Sequence, residues 1–338
     1  SPPSGISPRA GQEPPRLRLA QMLCSVTPPA GMGKVQRLVY PYERGKRDSY
    51  PFAVRAKTGS AFRGNTADFH GHPFAVGGCG DWRNWAVAVA LCGPGDLIVE
   101  VGANVGTETV GFSDIVGRDG RVVSFEPSPD NLAALEAMTS GLRNANVELL
   151  PYALSDHTGS DTFAVPPASM SQGIGHLLGP EERTTGTAIY YDDPVDMSVI
   201  EVECRTLDEF ADDLRGLRLL VADAEGAEIA ILRGSREVLL AEQPALVLEA
   251  SQPHQRRAGF GLDQLHDELT SLGYRSFVLA GLGTEAIKDP RDAPAHSNWL
   301  CVPEHKLQLV TRVRRYLRRC ALMPCVLGLN PLTSPSRR

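Results

Sequence analysis

Hydrophobic positions become regular only from Asp96 onward. Leu97-Ile98-Val99-Glu100-Val101 is a short apolar run, followed by Gly102-Ala103-Asn104-Val105-Gly106 and by helical spacing to Val116. A second run, Arg121 to Phe125, ends at Glu126-Pro127, and helical spacing resumes from Asn131 to Leu142. Further runs occupy Val147 to Leu150, Leu217 to Ala222, Ala245 to Leu248, Arg275 to Ala280 and Asn298 to Val302, with helices beginning near Ala227 and Leu262. Continuous apolar strands alternating with helices are the signature of a parallel sheet covered on both faces. The pattern predicts an α/β fold, a doubly wound domain over residues 94–304.

The rest of the chain reads differently. Residues 1–33 are rich in Pro, Gly and Ser and are expected to form a flexible leader. Residues 34–93 are expected to pack on the core as an extension, with a helix through Trp82–Leu91. Residues 156–199 show no clean periodicity, and Ser169 to Gly179 is dense in Gly, Ser and Met; a connection this long is expected to be a lid-like insertion. From residue 305 to 338 the chain becomes a basic tail, in which Leu307, Val310, Val313, Leu317 and Cys320 fall at helical spacing among five arginines.

Charge sharpens this division. The 338 residues carry a formal net charge of -6, yet residues 1–48 hold eight basic and three acidic side chains, and Lys306 to Arg338 hold eight basic and none acidic. The -6 total therefore leaves -19 on residues 49–305. An acidic body argues against a nucleic-acid substrate. The basic tail is expected to contact the protein's own body, another subunit or an anionic membrane surface. No apolar run reaches the ~18 residues needed to span a bilayer. The seven cysteines are scattered and never form a CxxC pair, which points to reduced thiols and a cytoplasmic setting.

Ligands of open α/β sheets bind beyond the carboxyl ends of the strands, and three sequence elements fall there. The first is the turn Gly102 to Gly106, where glycine lets a ligand approach the backbone; it lacks the GxGxxG spacing of a dinucleotide site, since Asn104 and Thr107 occupy the later glycine positions. That disfavours a nicotinamide oxidoreductase. The second is Glu126, a carboxylate able to accept from both hydroxyls of a ribose. The third is Asp223-Ala224-Glu225-Gly226-Ala227-Glu228, which puts carboxylates at the rim. Asp223 and Glu225 could act as general base, hold a divalent cation or bind a cationic centre; as a bland alternative, Glu225 and Glu228 complement a helix dipole. His254 follows the strand ending at Glu249 and could reach the same rim, and His176 lies in the insertion. No His/Asp spacing assigns a metal site.

The ordered elements EVGANVG, VVSFEPSPDN, VELLPYALSD, TLDEF, LLVADAEGAEIAILRG and LVLEA resemble the FkbM-type S-adenosylmethionine-dependent methyltransferases, over residues 80–303. The resemblance implies a Rossmann-like methyltransferase sheet, mostly parallel with a final antiparallel strand. It implies that Glu100, Gly102, Ala103, Asn104 and Gly106 surround the methionine portion of the cofactor. Glu126, with Pro127 and Ser128, would meet the ribose; Ala153, Leu154 and Ser155 would lie beside the adenine; Asp223 and Glu225 would face the methyl-transfer centre. Ala222 and Ala224 depart from the larger residues common in the family, without removing a reactive group. The expected function is O-methylation of a hydroxyl on a sugar or polyketide-type small molecule, with Asp223, Glu225 and His254 as catalytic candidates. A non-catalytic cofactor-binding scaffold is the non-enzymatic alternative.

Overall fold

A computed structural model describes residues 13–167, 172–190, 193–326 and 328–333. Five helices open the chain: α1 Pro15–Val26, α2 Pro29–Val39, α3 Tyr42–Asp48, α4 Gly71–Gly77 and α5 Trp82–Leu91, with the hairpin β1 Pro51–Arg55 and β2 Ala61–Asn65 between α3 and α4. The expected flexible leader lies outside the described residues up to residue 12, and from Pro15 it is helical instead. Its prolines are the reason: Pro15 and Pro29 stand at the first helical position, where a missing N–H costs nothing and the fixed φ suits the helix. Leu17, Ala20 and Cys24 then bury one face of α1.

The central sheet has the order β15-β14-β16-β13-β12-β3-β4-β5. Its strands are β3 Leu97–Val101, β4 Arg121–Phe125, β5 Val147–Leu150, β12 Leu217–Ala222, β13 Ala245–Ser251, β14 Tyr274–Ala280, β15 Gly283–Ala286 and β16 His296–Pro303. Strands β13, β12, β3, β4 and β5 are mutually parallel, while β16, β14 and β15 pair antiparallel. Alternation within the strands builds two cores. Ile98, Val122, Leu219, Val221, Val247 and Leu300 pack with α5, α6 Thr109–Val116, α7 Pro129–Thr139 and α13 Gln308–Leu322. Val99, Val123, Leu220, Ala222, Leu246 and Leu248 join the core of α9 Glu228–Arg233, α10 Arg236–Glu242 and α12 Leu262–Ser271. The short α11, Gln252–Arg257, follows β13 directly. Because β3 and β12 are neighbours from which the chain winds outward in opposite senses, the crevice beyond their carboxyl ends is where a ligand fits.

The insertion is largely β-structure, contrary to its aperiodic reading. β7 Gly159–Val165 pairs antiparallel with β11 Ser198–Arg205, and the short strands β6 Ala153–Leu154 and β8 His176–Leu177 complete a four-stranded sheet. Val202 and Cys204 alternate inward against Glu201 and Glu203, a period-2 signal spread over strands that pair across more than thirty intervening residues. α8 Pro180–Thr185 and the hairpin β9 Ala188–Tyr190 with β10 Asp193–Val195 lie between them. Part of Ser169 to Gly179, residues 169–171, falls outside the described residues.

Aromatic packing ties the extension to the sheet. Phe62 stacks on Phe74 at 4.2 Å, Phe74 meets Trp85 at 5.7 Å, and a Cβ on Gly111 would stand 2.1 Å from Trp85. The basic tail docks on the protein's own body. Val310, Val313, Leu317, Cys320 and Ala321 are buried, and α13 packs on α5, α2 and β15. At roughly 1.5–3 kcal/mol for each fully buried Val or Leu side chain, this stripe outweighs exposed ion pairs worth ~0–1 kcal/mol. No helix among the described residues is long and apolar enough to cross a membrane. Six of the seven cysteines are buried.

Candidate active site

The turn after β3 is shaped by contact with the strand beside it. Gly102 has φ +80, and a Cβ there would lie 2.0 Å from the Asp223 carbonyl oxygen, so only glycine allows the two strand ends to approach. Asn104 adopts φ +50, and its N–H donates to Glu126 Oε2 at 2.7 Å. Glu126 Oε1 accepts from the Ser128 N–H at 2.9 Å and from Asn131 Nδ2 at 3.3 Å, so this buried carboxylate joins the two turns. Burial raises its pKa, against the hydrogen bonds from Ser128, Asn104 and Asn131. Glu100 is buried beneath, accepting from Thr109 and Ser124 hydroxyls at 2.7 Å each, and burial pushes it up to about 7.

Two cavities open on these turns. The smaller is lined by Gly102, Asn104, Glu126, Pro127, Ala153, Leu154 and Asp223, together with Phe125, Asn131, Tyr152, Phe163 and Leu177. The larger, about 730 Å³, takes in Glu100, Ala103, Glu225 and His254, and its outer wall comes from the N-terminal extension: Tyr42, Phe69, His70, His72, Asn84. Val101, Gly102, Asn104, Gly173, Asp223 and Glu225 line both. Three expected cofactor residues line neither. Gly106 is packed on Met138, whose Cε would be 2.0 Å from an added Cβ; the Ser128 N–H serves Glu126; and Ser155 donates its N–H to the Arg205 carbonyl. They support the walls.

Asp223 stands exposed to the chamber, yet surrounded by protein: burial, then the carboxylates of Glu249 and Glu225, push its pKa well above the usual carboxylate range. Glu225, at φ +53, turns away from Asp223 toward α11. His254 Nδ1 lies 3.0 Å from Glu225 Oε2 and 3.0 Å from Glu249 Oε2, and Arg257 Nη2 is 3.9 Å from the same Glu225 oxygen. Burial opposes a charge on His254, but the bonds from Glu225 and Glu249 outweigh it and raise the imidazole to about 9. At neutral pH this favours the protonated form of His254, which weighs against its acting as a base. Nor do Asp223 and Glu225 form a cation pair of ligands. The donor atoms that converge within 4.8 Å belong to Glu225, Glu249 and His254, and a proton on Nδ1 with Arg257 nearby already balances the two carboxylates. His176 is buried in the insertion, 2.9 Å from Glu182, and lines neither cavity.

One residue absent from the sequence-based candidates sits at the junction. His70, at the start of α4, lines the larger chamber, and its Nε2 would be 2.2 Å from a Cβ on Gly173, a residue that lines both cavities. Burial lowers its pKa from the ordinary value, against the pull of Asp68 and Glu225, so its imidazole is neutral at pH 7. Nothing in the local sequence around Phe69-His70-Gly71 marks it, because Gly173 and Glu225, the rim residues it faces, lie more than a hundred residues away in the chain.

A sheet of this order, with its turns at the switch point and a carboxylate closing the second, defines the Rossmann-like methyltransferase class. The chain belongs to the FkbM methyltransferase family: the profile described as "Methyltransferase FkbM domain" matches residues 100–276. Similar solved structures include the FkbM methyltransferase of Methylobacillus flagellatus KT (15% identity, TM-score 0.39, 85% of this chain and 59% of that one). Fibrillarin of Aeropyrum pernix in complex with S-adenosyl-L-methionine is 14% identical, with a TM-score of 0.35 over 62% of this chain and 67% of that one. A SAM-dependent O-methyltransferase of Thermotoga maritima is 11% identical, with a TM-score of 0.34 over 66% and 64%. The chain thus spans 59% of the length of the Methylobacillus protein. No curated protein sequence matches it. S-adenosylmethionine is the cofactor the family implies.

Proposed function

We propose that the protein transfers a methyl group from S-adenosylmethionine to a hydroxyl of a small polar acceptor, of sugar or polyketide type. The observation that carries this reading is the common wall: two cavities, the smaller built on the strand-end turns of Gly102 and Glu126, meet at Gly102, Asn104, Asp223 and Glu225.

The residues of the smaller cavity fit the cofactor. Among the described residues Asn104 Oδ1 is buried without a hydrogen-bond partner, an acceptor whose desolvation costs about 1–3 kcal/mol unless a ligand donates to it. An ammonium group on the methionine portion would supply that donor. Glu126 Oε2, which takes one hydrogen bond from the Asn104 N–H, keeps a lone pair for a ribose hydroxyl, while Oε1 is filled by Ser128 and Asn131. Tyr152, Leu154 and Phe163 give an apolar wall for a purine. When bound, S-adenosylmethionine supplies an electrophilic methyl group on a sulfonium.

The chain's own part is to orient the acceptor and remove its proton. Asp223, its carboxyl pushed well above the usual range by burial and by Glu249 and Glu225, faces the common wall and positions the acceptor there. His70, held neutral, takes the hydroxyl proton. Glu225 and Glu249 spend their charge on His254, which keeps them from repelling an oxygen nucleophile. Positioning can lower a barrier by roughly 7–11 kcal/mol and proton removal contributes ~100- to 10,000-fold.

Calorimetric titration with S-adenosylmethionine tests the cofactor half, with Glu126→Ala as its control. Mass spectrometry of hydroxylated compounds incubated with protein and labelled cofactor tests the transfer. Absence of cofactor binding, or binding unaltered by Glu126→Ala, sinks the reading.

A further inference from the structure

α1 has two apolar faces, and the fold uses one. Leu17, Ala20 and Cys24 are buried, whereas Leu19, Met22, Leu23 and Val26 are 48%, 63%, 40% and 60% exposed. These four sit at i, i+3, i+4 and i+7, a single stripe on the side of the helix opposite the buried face. Arg16 and Arg18 are exposed on its two flanks. α2 packs against both α1 and α13, and its exposed side continues the pattern with Lys34, Arg37 and Leu38, the last 81% exposed. α13 contains no acid and exposes Arg312, Arg315, Arg318 and Arg319. The two basic ends of the chain, far apart in sequence, are thereby brought into one helical layer on an otherwise acidic body.

We propose that the outer face of α1, with the basic side chains of α2 and α13 beside it, docks on an anionic lipid bilayer. Three features select this occupant. Aliphatic side chains flanked by arginine are the composition of a helix lying in the interface, its long basic stems reaching the headgroups. A second copy would set this layer against its own like charge. Nucleic acid would attract the arginines but leave the four aliphatic side chains unrewarded, for the stripe holds no aromatic ring on which a base could stack. The helix is 12 residues long, so it lies on the surface and does not cross.

Sedimentation of the full chain with vesicles tests this, comparing pure phosphatidylcholine with phosphatidylcholine containing phosphatidylglycerol. The expected result is binding to the anionic vesicles that weakens as salt is added. Met22→Ser with Val26→Ser should weaken it about tenfold, and Arg16→Gln with Arg18→Gln should reduce the preference for anionic lipid. Unchanged thermal melting of these variants shows that their fold is intact, since all four side chains are exposed. Cofactor binding, measured separately by calorimetry, reports on the proposed methyl transfer, so the two readings fail independently. Three results overturn the docking proposal: no binding to either vesicle, binding that Met22→Ser with Val26→Ser leaves unchanged, or a concentration-dependent dimer in solution that the same variant abolishes.

Discussion

Around the smaller cavity the polar groups are largely backbone or already engaged: Glu126 accepts from Asn104, Ser128 and Asn131, and Gly102 presses its Cα against the Asp223 carbonyl. Around the larger chamber they are side chains that titrate. Asp223, Glu108 and Glu100 are pushed up by burial, His70 is pushed down, and His254 is held as a cation by Glu225 and Glu249. The first arrangement is held by hydrogen bonds between neighbouring turns, which suits a ligand that never varies. The second is a set of protonation states poised by one another, which suits a step in which a proton must leave. One wall serves both, so perturbing it on one side or the other separates recognition from chemistry.

The largest effect falls on the rigid side. Gly102→Ala would place a Cβ 2.0 Å from the Asp223 carbonyl at φ +80. A left-handed alanine alone costs roughly 1–2 kcal/mol, and the clash adds to it by prising β3 from β12. Affinity for S-adenosylmethionine should fall by about 100-fold or more, equivalent to roughly 2.7 kcal/mol, with a lowered melting temperature. Wild-type affinity in this variant would show that the smaller cavity is not the cofactor's.

On the other side, His70→Gln keeps the side chain polar but removes the titrating nitrogen. Turnover of an identified acceptor should fall ~100- to 10,000-fold, with cofactor affinity held within about threefold. Turnover in the native protein should rise with pH below neutrality as His70 loses its proton, and that limb should vanish in the variant. Equal loss of cofactor affinity and turnover would instead make His70 a wall residue.

This contrast also explains what could be read in advance. The smaller cavity is made of strand-end turns, and a turn writes its requirements into adjacent residues: Gly102 for close approach, Glu126 to bind the next turn's amides. Apolar runs flanked by such turns placed the parallel strands of the sheet at Leu97–Val101, Arg121–Phe125 and Leu217–Ala222. Tyr42, Phe69 and His70 meet Glu249 and His296 only in space, and no local pattern records that meeting. The same holds for β7 and β11, whose pairing crosses the insertion. Pro15 and Pro29 misled for a different reason, since proline breaks a helix interior yet starts a helix well.

Glu126→Gln is a milder test of the rigid side. It retains shape and one acceptor oxygen but trades charged for neutral hydrogen bonds, a difference of about 1 kcal/mol or somewhat more. Cofactor affinity should drop about tenfold, less than for Gly102→Ala, with acceptor turnover at saturating cofactor nearly intact. A collapse of turnover without a change in affinity would move Glu126 from recognition to chemistry.

The smallest effect is a slope. His254 has a folded-state pKa of about 9, above its ordinary 6.5, because Glu225 and Glu249 favour the charged form against the cost of burial. A raised pKa means the folded state binds the proton more tightly than the unfolded chain does. The resulting stability is complete below pH 6.5 and disappears as pH rises through 9. Glu228, raised by burial to about 8, slopes in the same direction but from lower pH, since its unfolded value is 4.5. The melting temperature should therefore decline from neutral to alkaline pH, and His254→Gln should remove the part of that decline between 6.5 and 9 while lowering stability at pH 7. Cofactor affinity, seated in the rigid cavity, should stay level across the same range. If affinity tracks the melting curve, or if the decline survives in His254→Gln, the two cavities are not electrostatically separate, and the division between a fixed recognition site and a titrating one is lost.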